Sequence, residues 1–290
     1  MRQSYFIYSV FFLCVALGTS ACTLNVDVSE DDEPVSGSSI YELFVIQRDM
    51  DDAFNILFVP DASYGNLSNL ANRQAFVDDL TNAIENSYWQ NQGYYFNLGR
   101  YNYYYSLDPG SVVERSPDAD GNFRCPTVTW PTSINTDGAF ADATILIHTN
   151  ELRDCATPST GRATAEPTSY RTIVHETSHA LFGLPDEYCC DSSYSANEPV
   201  LYGSEAACLN DPVTAAWRNC VSFTSARNGS VWWRSEGDIT SSAIMLSAGN
   251  TVWEFGPADW EIMEEAYLSF PGASSAGTPT VFAPDNWDRP

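Results

Sequence analysis

Two of the chain's three histidines stand four residues apart, and a glutamate follows the first: His175-Glu176-Thr177-Ser178-His179. On a helix, positions four apart share a face, so both imidazoles can reach one metal ion. H-E-x-x-H is a zinc-binding pattern in which the glutamate serves as general base toward a water at the metal. Tyr170, Ile173, Val174, Leu181 and Phe182 give such a helix an apolar side. Gly183 and Pro185 are poor helix residues and predict its end near Phe182. The chain then delivers two carboxylates, Asp186 and Glu187, a few residues beyond the second histidine. A catalytic zinc takes three protein ligands and keeps one position open. A carboxylate from this turn would complete the set, and the residue types alone leave Asp186 and Glu187 both open. The competing reading of the five-letter motif alone is a chance match on a buried helix.

The run 175–188 reads HETSHALFGLPDEY. In the form H-E-x-x-H-x-x-x-G-L-x-D-E-Y it resembles the signature of the IgA-peptidase family of metzincin-like zinc peptidases. Residues 54–61, FNILFVPD, resemble that family's early strand ending in Asp. Residues 143–148, ATILIH, resemble the strand that precedes the active-site helix. Residues 243–248, AIMLSA, look like a Met-turn, with Met245 beneath the metal, and 255–257, FGP, like the start of the last helix. The resemblance spans roughly residues 41–271, and 175–188 is its specific part. It implies one Zn2+ held by His175, His179 and Asp186, with Glu176 as general base. It also implies a strand before the helix that forms a sheet edge and holds extended substrate by backbone pairing. Glu187 would then point away, toward a group that steadies a ligand. Tyr188 is a candidate donor to the oxyanion, or packs beneath the site. The sequence departs from the pattern at Thr177-Ser178, which replaces an aromatic-Gly pair, and at Cys189-Cys190, which follows directly.

The elements around the motif point to an α/β (α+β) fold: a twisted mixed sheet, the active-site helix and a smaller irregular C-terminal subdomain. Residues 41–47 and 55–59 read as strands, the second continuous and buried. Leu70, Phe76, Val77, Leu80 and Ile84 recur at helical spacing, predicting an amphipathic helix over 70–87. Residues 101–106 and 143–148 read as further strands. The aromatic run Tyr103-Tyr104-Tyr105 is read as packing rather than as a cleft lining. His148, at the end of its strand, is read as structural. Residues 151–169 read as a long polar connection beside the cleft. Residues 257–270 read as a final helix with Pro257 at its start and Trp260, Met263 and Tyr267 on one face. At least one of Trp232 and Trp233 is assigned to packing.

The chain has 290 residues and a formal net charge of −25, from 38 acidic and 13 basic side chains, with no lysine. Such a surface repels nucleic acid and anionic lipid, which argues against nucleic-acid binding. Residues 5–17 are apolar and too short to span a bilayer, so residues 1–21 are expected to be a signal peptide. The small residues before Cys22 resemble a bacterial lipobox. They imply a lipid-modified Cys22, with ordinary cleavage after Ala21 and free secretion as the alternative. Residues 22–39 are expected to form an acidic tether, 40–271 the globular domain and 272–290 a tail. Setting aside Cys14 and Cys22 leaves six of the eight cysteines. An even number in an exported chain implies disulfides, with Cys189 and Cys190 expected to pair with Cys208 and Cys220.

These features predict an exported zinc-dependent endopeptidase acting on proteins or glycoproteins, meeting the membrane only through its lipid anchor. Two alternatives stand beside it. One is a non-catalytic, zinc-stabilised surface binding protein, which would not require Glu176. The other is a thermolysin-like site with the more distant Glu198 as third ligand.

Overall fold

In the computed structural model, residues 24–35, 38–46, 53–117, 124–186, 201–211, 220–225, 229–235, 244–245 and 254–269 are described. Within them the apolar runs become strands: β1 (Ile40–Val45), β2 (Phe54–Pro60), β3 (Tyr101–Ser106) and β6 (Ala143–Ile147). Every residue of β2, β3 and β6 is buried. That is the signature of strands covered on both faces, as parallel sheets usually are. The hairpin β4 (Ser111–Val113) and β5 (Thr127–Thr129) stands apart as a two-stranded antiparallel ribbon.

The main sheet has six strands in the order β1-β3-β2-β6-β8-β7, completed by β7 (Ala156–Thr157) and β8 (Arg162–Ala165). Strands β3, β2, β6 and β8 run parallel, while β1 and β7 are antiparallel at the two ends. The sheet is therefore mixed, and with its helices the chain is α+β. Two expectations change here. Strand β6 is not an edge, because β8 pairs along it and leads into the motif helix; the edge is β7. Nor are residues 151–169 one long loop, because they carry β7, a turn centred on Gly161 and β8. Gly161 sits at φ +62°, and a Cβ there would lie 2.7 Å from the Asp142 carbonyl oxygen, so the turn requires glycine.

The helix α1 (Leu70–Asn86) links β2 to β3. Asn69 caps it by accepting the N–H groups of Ala71 and Asn72. Its apolar stripe, Phe76, Val77, Leu80 and Ile84, lies in the main core. Alternation along the strands sorts the two sheet faces. Ile56, Phe58, Tyr103, Tyr105 and Ile145 belong to the helical side, where α1, the motif helix and the last helix pack. Leu57, Val59 and Tyr104 belong to a smaller cluster on the opposite face, under Ile134 and Phe140. The tyrosine run of β3 is thus packing on both sides.

A short helix, α2 (Gln92–Tyr95), sits between α1 and β3. It is followed along the chain by α3 (Tyr170–Phe182), α4 (Glu205–Asn210) and, at the end, α5 (Pro257–Ser269). Asp259 accepts the Gly256 N–H at 3.1 Å, which closes the first turn of α5. Trp260, Met263 and Tyr267 join the main core, so this helix belongs to the central body. The smaller C-terminal unit is instead α4 with the antiparallel ribbon β9 (Cys220–Thr224) and β10 (Val231–Ser235). Trp232 packs there on Leu201 and Phe223.

The disulfides also differ from expectation. Cys208 on α4 bonds Cys220 on β9, because α4 lies against that strand and brings the Cα atoms to 6.2 Å. Neither can then serve Cys189 or Cys190, which lie outside the described residues. A second bond joins Cys125 to Cys155, immediately before β7.

The expected tether is also packed. Leu24 is buried, and Val26 and Val28 lie against the main core. The Val28 N–H donates to Gln74, and Gln74 donates to the Val26 carbonyl, each at 2.9 Å. Arg73 pairs with Asp32 at 3.3 Å and stacks 4.0 Å over the Tyr41 ring. Burial of these apolar residues and pairing of Asp32 outweigh the acidic composition that suggested a solvated strand.

Candidate metal centre

Helix α3 carries the H-E-x-x-H motif, and all residues from 173 to 180 are buried. It ends at Gly183, which adopts φ +67° and donates its N–H to the His179 carbonyl. No atom crowds the missing Cβ, so glycine is needed here for its backbone angle rather than for space. That left-handed turn reverses the chain and places Leu184 and Asp186 back over the second histidine.

Three ligand atoms converge. The Nε2 atoms of His175 and His179 are 3.1 Å apart. Asp186 Oδ1 lies 3.1 Å from the first and 3.0 Å from the second. Each histidine turns its other nitrogen to a backbone carbonyl: His175 Nδ1 to Ile244, at 3.0 Å, and His179 Nδ1 to Leu184. Those carbonyls can only accept, so each Nδ1 is the donor and the tautomer is fixed. In the neutral rings both Nε2 lone pairs then face one another and a carboxylate. Three electron-rich atoms this close require a positive centre among them. A metal ion about 2.0–2.1 Å from each atom fits the spacing. His175, His179 and Asp186 thus form a group that could hold a metal ion.

The acid–base behaviour of the protein groups expresses the same demand. Burial works against a charged His179, yet the hydrogen bond and charge of Asp186 lift it to about 9. Burial would raise Asp186, but hydrogen bonds from His175 and His179 hold it far below the usual carboxylate range. Burial pushes Glu176 upward; His175 and His179 pull it back, and Asp186 and Asp154 add to the rise. Glu176 is therefore a buried base beside the triad, held more basic than an exposed carboxylate.

Met245 is fully buried in the main core, next to the Ile244 whose carbonyl receives His175. Glu187, Tyr188, Glu198 and Cys22 lie outside the described residues. His148 does not join the triad. It is fully buried, with Nε2 2.8 Å from Asp154 Oδ1 and Nδ1 3.0 Å from the Asn150 carbonyl. The sequence reading did not anticipate Asp154, whose charge reaches Glu176, nor the Ile244 and Leu184 carbonyls. Backbone acceptors carry no residue-type signal, and Asp154 sits in a stretch read as loop. The same reading saw no partners for Thr177 and Ser178. The Tyr88 and Tyr94 hydroxyls meet theirs at 2.7 and 2.9 Å.

No protein-family model matches this chain, and no curated protein matches it.

Proposed function

We propose that the chain is an exported zinc-dependent endopeptidase of the metzincin-like, IgA-peptidase type. The observation that carries this reading is the convergence of His175, His179 and Asp186 with Glu176 beside them. Zinc, when bound, would polarise the scissile carbonyl and acidify a water. Glu176 would accept the proton of the attacking water and return it to the leaving amine. Its raised basicity suits both halves of that task. The carbonyls of Ile244 and Leu184 hold the two imidazoles so that Nε2 remains the ligand atom. Strand β7 pairs on one side with β8 and lies against α3. An extended protein or glycoprotein substrate would add to that edge by backbone hydrogen bonding.

Glu176 separates this reading from a non-catalytic zinc-stabilised binding protein, since structural zinc sites need no such base. Asp186 separates it from a thermolysin-like site, since the carboxylate close to both histidines is already supplied. We place the protein outside the cytoplasm, joined to the membrane through a lipid on Cys22, or otherwise freely secreted. Among the described residues no helix is long and apolar enough to cross a membrane.

Digestion of a peptide library by the zinc-loaded protein, read by mass spectrometry, tests the activity. Cleavage by the wild type that vanishes in Glu176→Gln supports the reading; a wild type that binds zinc but cuts nothing favours the binding protein. Mass spectrometry of the mature N-terminus tests the anchor, and an unmodified terminus would overturn it.

A further inference from the structure

Thr177 and Ser178 are fully buried hydroxyls in the middle of the motif helix. A buried hydroxyl without a partner is destabilising; each of these meets a phenol across the helix, and Ser178 also meets a carbonyl of its own helix. At about 100° per residue, Thr177 faces away from both histidines and Ser178 lies on the flank opposite Glu176. Tyr88 meets the first at 2.7 Å and Tyr94 the second at 2.9 Å. Ser178 donates its only proton to the Val174 carbonyl at 2.7 Å, so Tyr94 is the donor in its pair. Burial keeps both phenols protonated well above the ordinary tyrosine range.

Neither tyrosine is free to follow a turning helix. Their rings lie 5.0 Å apart, and Tyr88 packs on Tyr103 and Tyr94 on Tyr101, both in β3. The same segment reaches the metal centre by a second route. Gln92 donates its N–H to the Glu254 carboxylate at 3.3 Å, and the Glu254 carbonyl accepts the Ile244 N–H at 2.8 Å. Ile244 in turn receives His175 Nδ1. Residues 88–94 therefore touch the metal-binding helix from behind and the chain that steadies its first histidine.

We propose that Tyr88 and Tyr94 are positioning residues of the metal centre, fixing the rotation of α3 through Thr177 and Ser178 so that His175 and His179 stay aligned with Asp186. The inference rests on the metal-centre reading. A rotation of about 10° carries a side-chain tip by about 1 Å, which is enough to spoil a ligand set built on spacings near 3 Å. The pairs also suit the Thr-Ser of the motif: Thr177 meets one phenol, and the Ser178 oxygen, whose proton goes to Val174, accepts from the other.

The test uses Zn2+ alone, with its dissociation constant measured by chelator competition on the full chain, and thermal stability measured separately without metal. Tyr88→Phe and Tyr94→Phe are compared with the matched variants Tyr88→Phe/Thr177→Val and Tyr94→Phe/Ser178→Ala, which also remove the hydroxyl that each phenol met. The single variants should bind zinc roughly 10–100-fold more weakly at temperatures where they are fully folded. The matched variants should regain thermal stability and still bind zinc weakly, because the clamp is gone. They also answer the question if a single variant does not fold. Zinc affinity within twofold of wild type in the folded variants would overturn the proposal, as would recovery of both stability and affinity in the matched pairs. Absence of zinc binding by the wild type would instead overturn the metal-centre reading and the inference with it.

Discussion

Among the described residues the chain holds two histidine–carboxylate groups, and their geometries differ. At His175, His179 and Asp186, each imidazole gives its Nδ1 proton to a main-chain carbonyl and turns a lone pair inward, where a carboxylate meets both. At His148 and Asp154, one imidazole has oxygens at both nitrogens. The first group lacks a positive centre until a metal or proton arrives. The second is a single imidazole held between two oxygens, and among the described residues no third ligand group joins it. Histidine beside aspartate therefore identifies neither kind of site. What the second nitrogen does, and how many lone pairs converge, separates a ligand set from an internal brace.

The sharpest way to break this contrast is to remove each aspartate. Asp186→Ala should lose bound zinc, whereas Asp154→Ala should keep full occupancy in the folded protein, as read by metal analysis. Full zinc in a folded Asp186→Ala chain would show that another carboxylate is the ligand, with Glu187 and Glu198 the next to test. Within the first group, base and ligands should also separate. Glu176→Gln should retain zinc while peptidase turnover falls about 10²–10⁴-fold, the usual worth of a general base. Turnover near wild type would remove Glu176 from the mechanism.

At the second group the expected loss is in stability. Both side chains are nearly inaccessible, and removing one takes away the other's buried hydrogen-bond partner, which costs about 1–3 kcal/mol. Denaturant unfolding of His148→Ala should show that loss with zinc affinity unchanged. Replacing both by apolar residues, as in His148→Phe/Asp154→Leu, should recover most of it. A large fall in zinc affinity in the double variant would mean that the pair serves the metal site after all.

The legible parts of this molecule are those whose signal is local. β3 matches its expected bounds, and α3 ends at Phe182 because Gly183 and Pro185 leave it little choice. Residue types left Asp186 and Glu187 both open, and only the resemblance implied Asp186, which the turn brings within 3.1 Å of both histidines. Strands β7 and β8 were missed because their small, polar residues gain strand character only by pairing, β8 along β6, remote in sequence, and β7 along β8. The packed N-terminal segment did leave a trace, since Leu24, Val26 and Val28 alternate as strand residues do. Its acidic neighbours masked that pattern. Disulfide partners and carbonyl acceptors depend on the finished fold, and composition does not encode them.

A half-buried acid, Glu254, sharpens the comparison at smaller scale, because it meets a main-chain N–H where Asp186 and Asp154 meet histidines. Burial raises the Glu254 carboxyl from 4.5 to about 7, and the hydrogen bond from the Gln92 N–H offsets only part of that. The folded chain thus holds this proton more tightly than the unfolded chain does. The stabilising contribution is complete below about pH 4.5 and is lost as pH rises through about 7. Glu254→Gln keeps an oxygen for Gln92 and removes the charge. Its melting temperature should exceed wild type above pH 7 by roughly 2–4 °C, corresponding to about 1 kcal/mol in a domain of this size, once partial solvent access is discounted. The difference should shrink toward pH 4.5, where the wild-type carboxyl is protonated in the folded state. Since the Glu254 main chain still holds Ile244, zinc affinity should stay within about twofold of wild type, about 0.4 kcal/mol. A melting-temperature difference that does not vary between pH 4.5 and 8 would mean that Glu254 does not titrate in this window. A large loss of zinc affinity would show that its side chain, and not only its backbone, supports the histidine at Ile244.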